Sequence, residues 1–329
     1  MKLTLKEITE ITRGAVRIAE NDGAFSFYRF TEKQTEICLS YDTRCFRSNH
    51  LATAGIRLAM KTDTTAIRFD YKLLTMSTRG FAYFDVYVNG ALEKHFGTSG
   101  ENLREGSVSI SLPTGEKTVE IYLPYLCCAV LSNIEIDDGA SLEGLTRKKT
   151  MLTFGDSITQ GYDAIHPSLT YASQLARLLD TEQINKGIGG EVFFPPLLED
   201  RDAIEPDYIT VAYGTNDWSR TPSREAFADN CRAFYTRLSE LYPNARIFAV
   251  SPTWRLNGYR TTTGFGAPVT EIYPLMCEIC EGLPNVTVID AYNFIPHQKE
   301  FFLDRSLHPN DLGFGQYAMG LYREIIKHV

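Results

Sequence analysis

Apolar and polar residues alternate with a period of two from about residue 14 to residue 138, which predicts β-strands that bury one face. Turn residues such as Asn89-Gly90 and 113-PTGEK-117 separate the runs, and the last two runs predict a hairpin. The predicted strands are 24-AFSFYRF-30, 36-EICLSYD-42, 66-AIRFDYKL-73, 81-FAYFDVYVNG-90, 107-SVSISLP-113 and 117-KTVEIYLP-124. Because no long helical pattern interrupts them, residues 1–146 are predicted to form an antiparallel, jelly-roll-like β-sandwich domain, either carbohydrate-binding or accessory.

From residue 147 onward, strand patterns alternate with helical ones. The predicted strands are 149-KTMLTFGD-156, 182-EQINKG-187, 207-DYITVAYG-214, 245-ARIFAVSP-252 and 286-VTVIDAYN-293. The clearest helix spans 222–243, with Thr221 as its predicted N-cap and Pro222 at its first position. This alternation predicts a three-layer, doubly wound, flavodoxin-like α/β domain over residues 147–329, joined to the first domain through the polar segment 138–150.

Doubly wound sheets bind ligands beyond the carboxyl ends of their strands, and several chemically useful residues follow predicted strands here. Ser157 follows the first strand, the glycine-rich 187-GIGG-190 the second and Asn216 the third, while His308 lies on the loop before the last helix. Taken singly, Ser157 is most simply interpreted as a helix cap, and the glycines and Asn216 are most simply interpreted as turn residues. Together they are the parts of nucleophilic acyl transfer.

Four ordered blocks make the chain resemble the SGNH, or GDSL, hydrolases from about residue 148 to 329. The blocks are 155-GDSIT-159, the glycine of 187-GIGGE-191, 214-GTND-217 and 304-DRSLHPND-311. The resemblance implies that Ser157 is the nucleophile and His308 its base. It further implies an oxyanion hole formed by the N–H groups of Ser157 and Gly190 and the side chain of Asn216.

The last block departs from the family pattern, which has an aspartate three residues before the histidine. Here Arg305 occupies that position and Asp304 lies four residues before His308. Asp304 is the favoured third catalytic residue, while a backbone carbonyl in a Ser-His dyad and, more distantly, Asp311 remain alternatives. A β-sandwich joined to such a hydrolase also resembles carbohydrate esterase family two in layout.

Charge and cysteine usage narrow the choice of partners and location. The net charge is -8 and the isoelectric point is near 5.4, which disfavours nucleic-acid and anionic-membrane partners. The sequence shows no signal-peptide pattern and no apolar span, and its seven cysteines are an odd number, so we expect a cytoplasmic protein with reduced thiols. Neither a metal nor an organic cofactor is expected for this chemistry, and an oligomer is left open.

The predicted function is hydrolysis of short-chain, chiefly acetyl, esters on sugars or oligosaccharides through an acyl-enzyme. Four aromatic residues follow predicted strands and are predicted to line the substrate site, unless they pack between the domains. They are Tyr162, Phe193, Trp218 and Trp254. Two alternatives are a generic short-chain or lysophospholipid acylhydrolase and a sugar-binding protein whose hydrolase half is inactive.

Overall fold

Two antiparallel sheets form most of the first part of the chain in the computed structural model, which describes residues 1–41, 49–99 and 104–329. One sheet has the order β1-β4-β9-β6-β7, with β11 paired to β4, and the other has the order β2-β3-β10-β5-β8. The strands are β1 (Thr12–Arg13), β2 (Arg17–Asn21), β3 (Ala24–Tyr28), β4 (Arg57–Thr62), β5 (Ala66–Leu74), β6 (Phe81–Val88), β7 (Ala91–Ser99), β8 (Glu105–Ser111), β9 (Lys117–Tyr122), β10 (Cys128–Ile136) and β11 (Leu142–Gly144). Side chains of both sheets share one apolar cluster, in which the rings of Phe69 and Phe84 lie 5.9 Å apart.

The hairpin predicted from the last two alternating runs is wrong. Strand β8 pairs with β5, whereas β9 pairs with β4 and β6 in the other sheet. Alternation identifies which face of a strand is buried but not which strand lies beside it, and Ile110 and Val119 reach the same apolar cluster from different sheets. The Asn89-Gly90 turn does join paired strands, β6 and β7, with both residues at positive φ as such turns require.

The strand predicted over 36–42 is also wrong, because residues 36–40 belong to helix α2 (Glu32–Ser40); residue 42 lies outside the described residues. Thr31 and Gln34 form a capping box at its start, a signal already present in the sequence. Ile37 and Cys38 pack into the apolar cluster of the second part of the chain. A shorter helix, α1 (Leu5–Ile11), precedes β1 and has a capping box as well.

A five-stranded parallel sheet organises the second part of the chain, with the order β13-β12-β14-β15-β16. Its strands are β12 (Lys149–Gly155), β13 (Thr181–Gly187), β14 (Tyr208–Ala212), β15 (Arg246–Val250) and β16 (Val286–Ile289). Each lies within a strand predicted from the sequence or extends it by one residue. Because β13 and β14 both flank β12, the loops that follow these three strands begin side by side.

Helices cover both faces of this sheet. They are α3 (Ser157–Gln160), α4 (Tyr171–Leu178), α5 (Thr215–Arg220), α6 (Arg224–Leu241), α7 (Ile272–Cys280) and α8 (Asp311–Ile325), with short 3-10 turns at Pro167–Leu169, Pro195–Glu199, Val269–Glu271 and Lys299–Phe301. Leu152 and Phe154 of β12 pack in the same cluster as α6 and α7, whereas Met151 packs in the cluster of α4 and α8. The second part of the chain is therefore a three-layer α/β structure.

Helix α6 begins two residues later than predicted. Its N-cap is Ser223, whose Oγ accepts a hydrogen bond from the N–H of Ala226 at 3.1 Å. The predicted cap, Thr221, instead donates its hydroxyl to the carbonyl of Ser223 at 3.0 Å, and Pro222 precedes the helix. The prediction failed because Thr221 and Ser223 are both good capping residues, and only the later one reaches the free N–H groups of the helix.

A fully buried arginine joins the two parts of the chain at the end of β13. The guanidinium of Arg29 donates to the carbonyls of Asn185 (2.6 Å) and Gly187 (2.9 Å), and also to those of Asn49 and Ala52. Burial lowers the pKa of Arg29 to about 9, which leaves it charged at neutral pH. The base of the loop that carries Gly190 is thus held by a residue from the first part of the chain.

Candidate active site

Ser157 is presented by a sharp turn between β12 and α3. Gly155 has φ +155°, and a Cβ at this position would lie 2.7 Å from the carbonyl oxygen of Ala212, so only glycine fits. The cap of α3 is Asp156, which accepts the N–H of Ile158 at 2.9 Å. The capping interpretation of Ser157 is therefore wrong, and its hydroxyl is left for other contacts.

The side chains of Ser157, His308 and Asp304 form a continuous chain of polar contacts. Ser157 Oγ lies 2.8 Å from His308 Nε2, and His308 Nδ1 lies 2.7 Å from Asp304 Oδ2. The other oxygen of Asp304 accepts the N–H groups of Leu307 (2.8 Å), Ser306 (2.9 Å) and His308 (3.1 Å). Burial alone would raise the pKa of Asp304, but the contact with His308 and these N–H groups hold it well below its usual range.

The loop before α8 absorbs the extra residue between Asp304 and His308. Arg305 adopts a left-handed conformation, with φ +59°, which turns the chain so that Asp304 faces back toward the histidine ring. Asp311 does not approach His308 in this way: its carboxylate binds the N–H of Ile165 and lies 2.9 Å from His166 Nδ1. Among the alternatives open in the sequence, Asp304 is thus the carboxylate in contact with His308.

Two further residues, Arg79 and Asp163, lie close to Nδ1 of His308, the ring nitrogen that contacts Asp304. Arg79, which follows β5 in the first part of the chain, binds Asp163 through two contacts of 2.5 Å and 3.0 Å. Its Nη2 lies 3.3 Å from His308 Nδ1, while Asp163 Oδ2 lies 3.8 Å from the same nitrogen. Arg79 offsets the charge of Asp163, and Asp304 makes the shorter carboxylate contact with the ring, 2.7 Å against 3.8 Å.

Sequence reasoning missed both residues. Asp163 follows the serine block by only a few positions, and its positive φ of 76° marks a tight turn that an aspartate tolerates. Arg79 lies in a polar turn more than 200 residues before His308 and carries no local signal of a role at this site. Its placement depends on how the two parts of the chain pack together.

The predicted oxyanion donors lie on the adjacent loops after β12, β13 and β14. Gly190 has φ +85°, and within the described residues neither its N–H nor that of Ser157 donates a hydrogen bond. Asn216 Nδ2 donates to the carbonyl of Glu191 at 3.0 Å, which orients the amide and uses one of its two hydrogens. Three donors therefore retain capacity for a ligand oxygen.

Buried carboxyl groups lie near these donors. Burial raises the pKa of Asp156 to about 6 and that of Asp217 to about 7, although N–H groups of the backbone partly oppose both shifts. Burial also raises the pKa of Glu191 well above its usual range, and its Oε2 accepts the hydroxyl of Tyr213 at 2.8 Å. The raised pKa values favour the protonated forms of Asp217 and Glu191, which reduces repulsion toward an anion that forms beside Ser157.

The four aromatic residues predicted to line the substrate site differ in position. The ring of Tyr162 lies 5.7 Å from that of His308, beside the serine. Phe193 is 2% exposed and belongs to the core, where it packs among Tyr213, Phe227, Phe234 and Tyr235. Trp218 is 3% exposed, and its Nε1 donates a hydrogen bond to the carbonyl of Ala267. Trp254 is half-buried and stacks on His297. Phe193 and Trp218 thus serve packing, because the helices over the sheet cover them.

Two groups of side chains in the described part of the chain have the composition of metal ligands. One group, Asp163, Asp304 and His308, already contains the guanidinium of Arg79 and does not suit a second cation. The other group consists of Asp85, His95 and His166. None of the helices in the described residues is both long and apolar enough to cross a lipid bilayer.

Solved structures share this fold over nearly the whole chain. A salicylyl-acyltransferase, SsfX3, from a tetracycline biosynthetic pathway is 23% identical with a TM-score of 0.82, covering 96% of this chain and 94% of its own. A family two carbohydrate esterase from Clostridium thermocellum, in complex with cellohexaose, is 16% identical with a TM-score of 0.66, covering 84% and 93%. An acetyl xylan esterase, Est2A, from the rumen bacterium Butyrivibrio proteoclasticus is 14% identical with a TM-score of 0.64, covering 97% and 95%.

Sequence comparison identifies the family of the second part of the chain. A search of the curated proteins finds no match. The model of the GDSL-like lipase/acylhydrolase family matches residues 153–315, a range that begins just before Ser157 and ends just after His308. Residues 153–315 of this chain therefore match the GDSL-like lipase/acylhydrolase family.

Proposed function

We propose that this protein is a serine esterase that removes short acyl groups, acetyl above all, from sugars or oligosaccharides. The observation that supports it most is the contact chain from Ser157 Oγ to His308 (2.8 Å) and from His308 to Asp304 (2.7 Å). In this proposal residues 147–329 are a flavodoxin-like hydrolase domain and residues 1–146 a jelly-roll-like β-sandwich accessory domain. The six described cysteines are free thiols, which fits the proposed cytoplasmic location.

In the proposed mechanism, His308 removes the proton of Ser157 as the serine oxygen attacks the ester carbonyl. Asp304 holds the ring and stabilises the imidazolium that forms. The N–H groups of Ser157 and Gly190 and the amide of Asn216 stabilise the negative carbonyl oxygen. His308 then passes the proton to the leaving alcohol, and water releases the acyl group by the same sequence of steps.

The confined position of the serine supports a short acyl group. Ser157 is 5% exposed and Tyr162 is 6% exposed, and the Tyr162 hydroxyl is bound to Asn49 Oδ1 at 3.0 Å. A long acyl chain would need an open apolar channel in place of this tethered ring. The sugar part of the proposal rests on the likeness in fold to carbohydrate esterases.

Acetate release from p-nitrophenyl acetate by wild type and Ser157→Ala tests the chemistry. We expect the variant to fall to the buffer rate, while Ser239→Ala, which changes a serine on α6, keeps wild-type activity. Equal low rates for wild type and Ser157→Ala would favour a sugar-binding protein without activity. Faster turnover of octanoyl than of acetyl esters would favour a general acylhydrolase, and no release of acetate from acetylated xylo-oligosaccharides would remove the sugar substrate.

A further inference from the structure

A second cluster of chemically active side chains lies where β6 and β7 meet the loop before α4. Asp85 of β6 and His95 of β7 are cross-strand partners, and His166 precedes the 3-10 turn Pro167–Leu169. Potential ligand atoms of the three side chains all lie within 4.8 Å of one another, and the two imidazole rings are 4.2 Å apart. The cluster therefore brings two imidazoles and one carboxylate together from distant parts of the sequence.

The carboxylate of Asp85 is fully buried and held in a fixed orientation. Its Oδ2 accepts the N–H (3.0 Å) and the hydroxyl (2.5 Å) of Ser168, while its Oδ1 lies 2.7 Å from His95 Nδ1. Among the described residues, neither a lysine nor an arginine pairs with it. A buried carboxylate is stabilised by a positive partner, which either a protonated His95 or a metal ion held beside Asp85 can supply.

The histidines are arranged like metal ligands with supporting partners. Asp311 Oδ2 lies 2.9 Å from Nδ1 of His166, which leaves Nε2 of the same ring for a ligand. A carboxylate on the far nitrogen is the usual support of a histidine that binds a metal. The ring of His95 is packed 4.6 Å from that of Tyr83, and both histidine side chains are 26% exposed, so an ion can enter from solvent.

We propose that Asp85, His95 and His166 bind one Zn²⁺ ion, with water as the fourth ligand. Two imidazoles and a carboxylate are ligands that zinc prefers, and ligand atoms of a tetrahedral zinc site lie roughly 3.3 Å apart, within reach of small side-chain adjustments here. The ion joins β6 and β7 to the loop that carries Asp163 and His166.

The test uses full-length protein without an affinity tag, stripped of metal by a chelator. Zn²⁺ binding is measured by calorimetry, and Co²⁺ binding by the absorption bands of its d electrons. We expect one ion per chain, with His95→Phe and His166→Phe each weakening Zn²⁺ binding at least tenfold and abolishing the Co²⁺ bands. Asp311→Asn is expected to weaken binding about 10- to 100-fold, and Mg²⁺, which prefers oxygen ligands, is expected not to bind.

Matched variants distinguish this site from other histidines. His328→Phe, near the end of the chain, and His308→Phe, which removes the histidine of the other candidate cluster, are both expected to bind Zn²⁺ as wild type does. His95→Phe keeps an aromatic ring against Tyr83, and circular dichroism shows whether each variant is folded. Failure of wild type to bind Zn²⁺, or binding that His308→Phe abolishes and His95→Phe leaves intact, would overturn the proposal.

Discussion

Asp304 contacts Nδ1 of His308. It does so although it lies four residues before the histidine, whereas the family pattern has an aspartate three residues before. Three N–H groups bind its second oxygen, so the carboxylate stays both ionised and oriented. The residue types at the strand ends were readable from the sequence because each follows a recognisable strand. Arg79 and Asp163 could not be predicted as site residues, because only the packing of distant segments brings them beside His308.

Replacing Asp304 separates its contribution from that of Asp163. We expect Asp304→Asn to lower kcat by as much as about 10⁴-fold, because the amide no longer stabilises the imidazolium. Asp163→Asn, whose carboxylate lies farther from the ring at 3.8 Å, is expected to have a smaller effect. Steady-state kinetics with p-nitrophenyl acetate measure both, and a larger loss in Asp163→Asn would reverse the assignment.

Removing the amide of Asn216 tests the proposed oxyanion hole. Loss of one donor costs about 2.7–4 kcal/mol of transition-state stabilisation, so we expect Asn216→Ala to lower kcat roughly 100- to 1,000-fold with little change in KM. Asn293→Ala, which alters an exposed asparagine, serves as the control and should match wild type. An unchanged kcat in Asn216→Ala would exclude this side chain from the mechanism.

At the scale of elements, local patterns identified the parallel strands well and the antiparallel pairing poorly. The helices between the parallel strands mark where each strand begins and ends, whereas β8 and β9 are joined by a short turn and still lie in different sheets. The strand predicted over 36–42 is wrong because a short apolar run fits a period of two as well as a helical one, whereas the capping box of Thr31 and Gln34 marks the start of a helix.

The turn before α8 contains a residue other than glycine, Arg305, at positive φ. Glycine adopts φ +59° easily, whereas a β-branched residue does not. We expect Arg305→Gly to keep most of the activity and Arg305→Val to lose it, because the turn that brings Asp304 to His308 is disrupted. The measurement is kcat beside melting temperature, and equal activity in the two variants would contradict this account.

At the scale of the whole molecule, buried polar contacts join the two parts of the chain. Arg29 binds carbonyls at the end of β13, Arg57 pairs with Glu182 at 2.6 Å, and the buried Lys186 donates to Gln34 at 2.9 Å. Such contacts are expensive to leave unmade. The two parts are therefore expected to unfold together.

Replacing Arg29 tests this coupling. Arg29→Leu leaves four buried carbonyls without their donor, so we expect the free energy of unfolding to fall by several kcal/mol. Arg260→Leu, at an exposed position, is expected to change it by less than about 0.5 kcal/mol. Urea denaturation followed by fluorescence and circular dichroism measures both, and two separate transitions in wild type would contradict the coupling.

The buried carboxyl groups give the molecule a dependence on pH. The pKa of Asp217 is raised to about 7, so between roughly pH 4 and pH 7 the folded protein holds a proton that the unfolded chain releases. The contribution of this group to stability is therefore lost as the pH rises through that window. Unfolding free energies from urea denaturation at pH 4.5 to 7.5 should decline less in Asp217→Asn than in wild type. Asp229→Asn, at an exposed position, should follow wild type, and parallel curves for Asp217→Asn and wild type would contradict the prediction.

Arg79 belongs to the first part of the chain and contacts His308 of the second part, which constrains how such proteins evolve. A recombination event that exchanged the β-rich part for that of another relative would preserve the serine, the histidine and Asp304. It would remove the guanidinium that neutralises Asp163, leaving an additional negative charge beside the base. The two parts of this chain are therefore expected to be inherited as a pair, with substitutions at Arg79 and Asp163 occurring together.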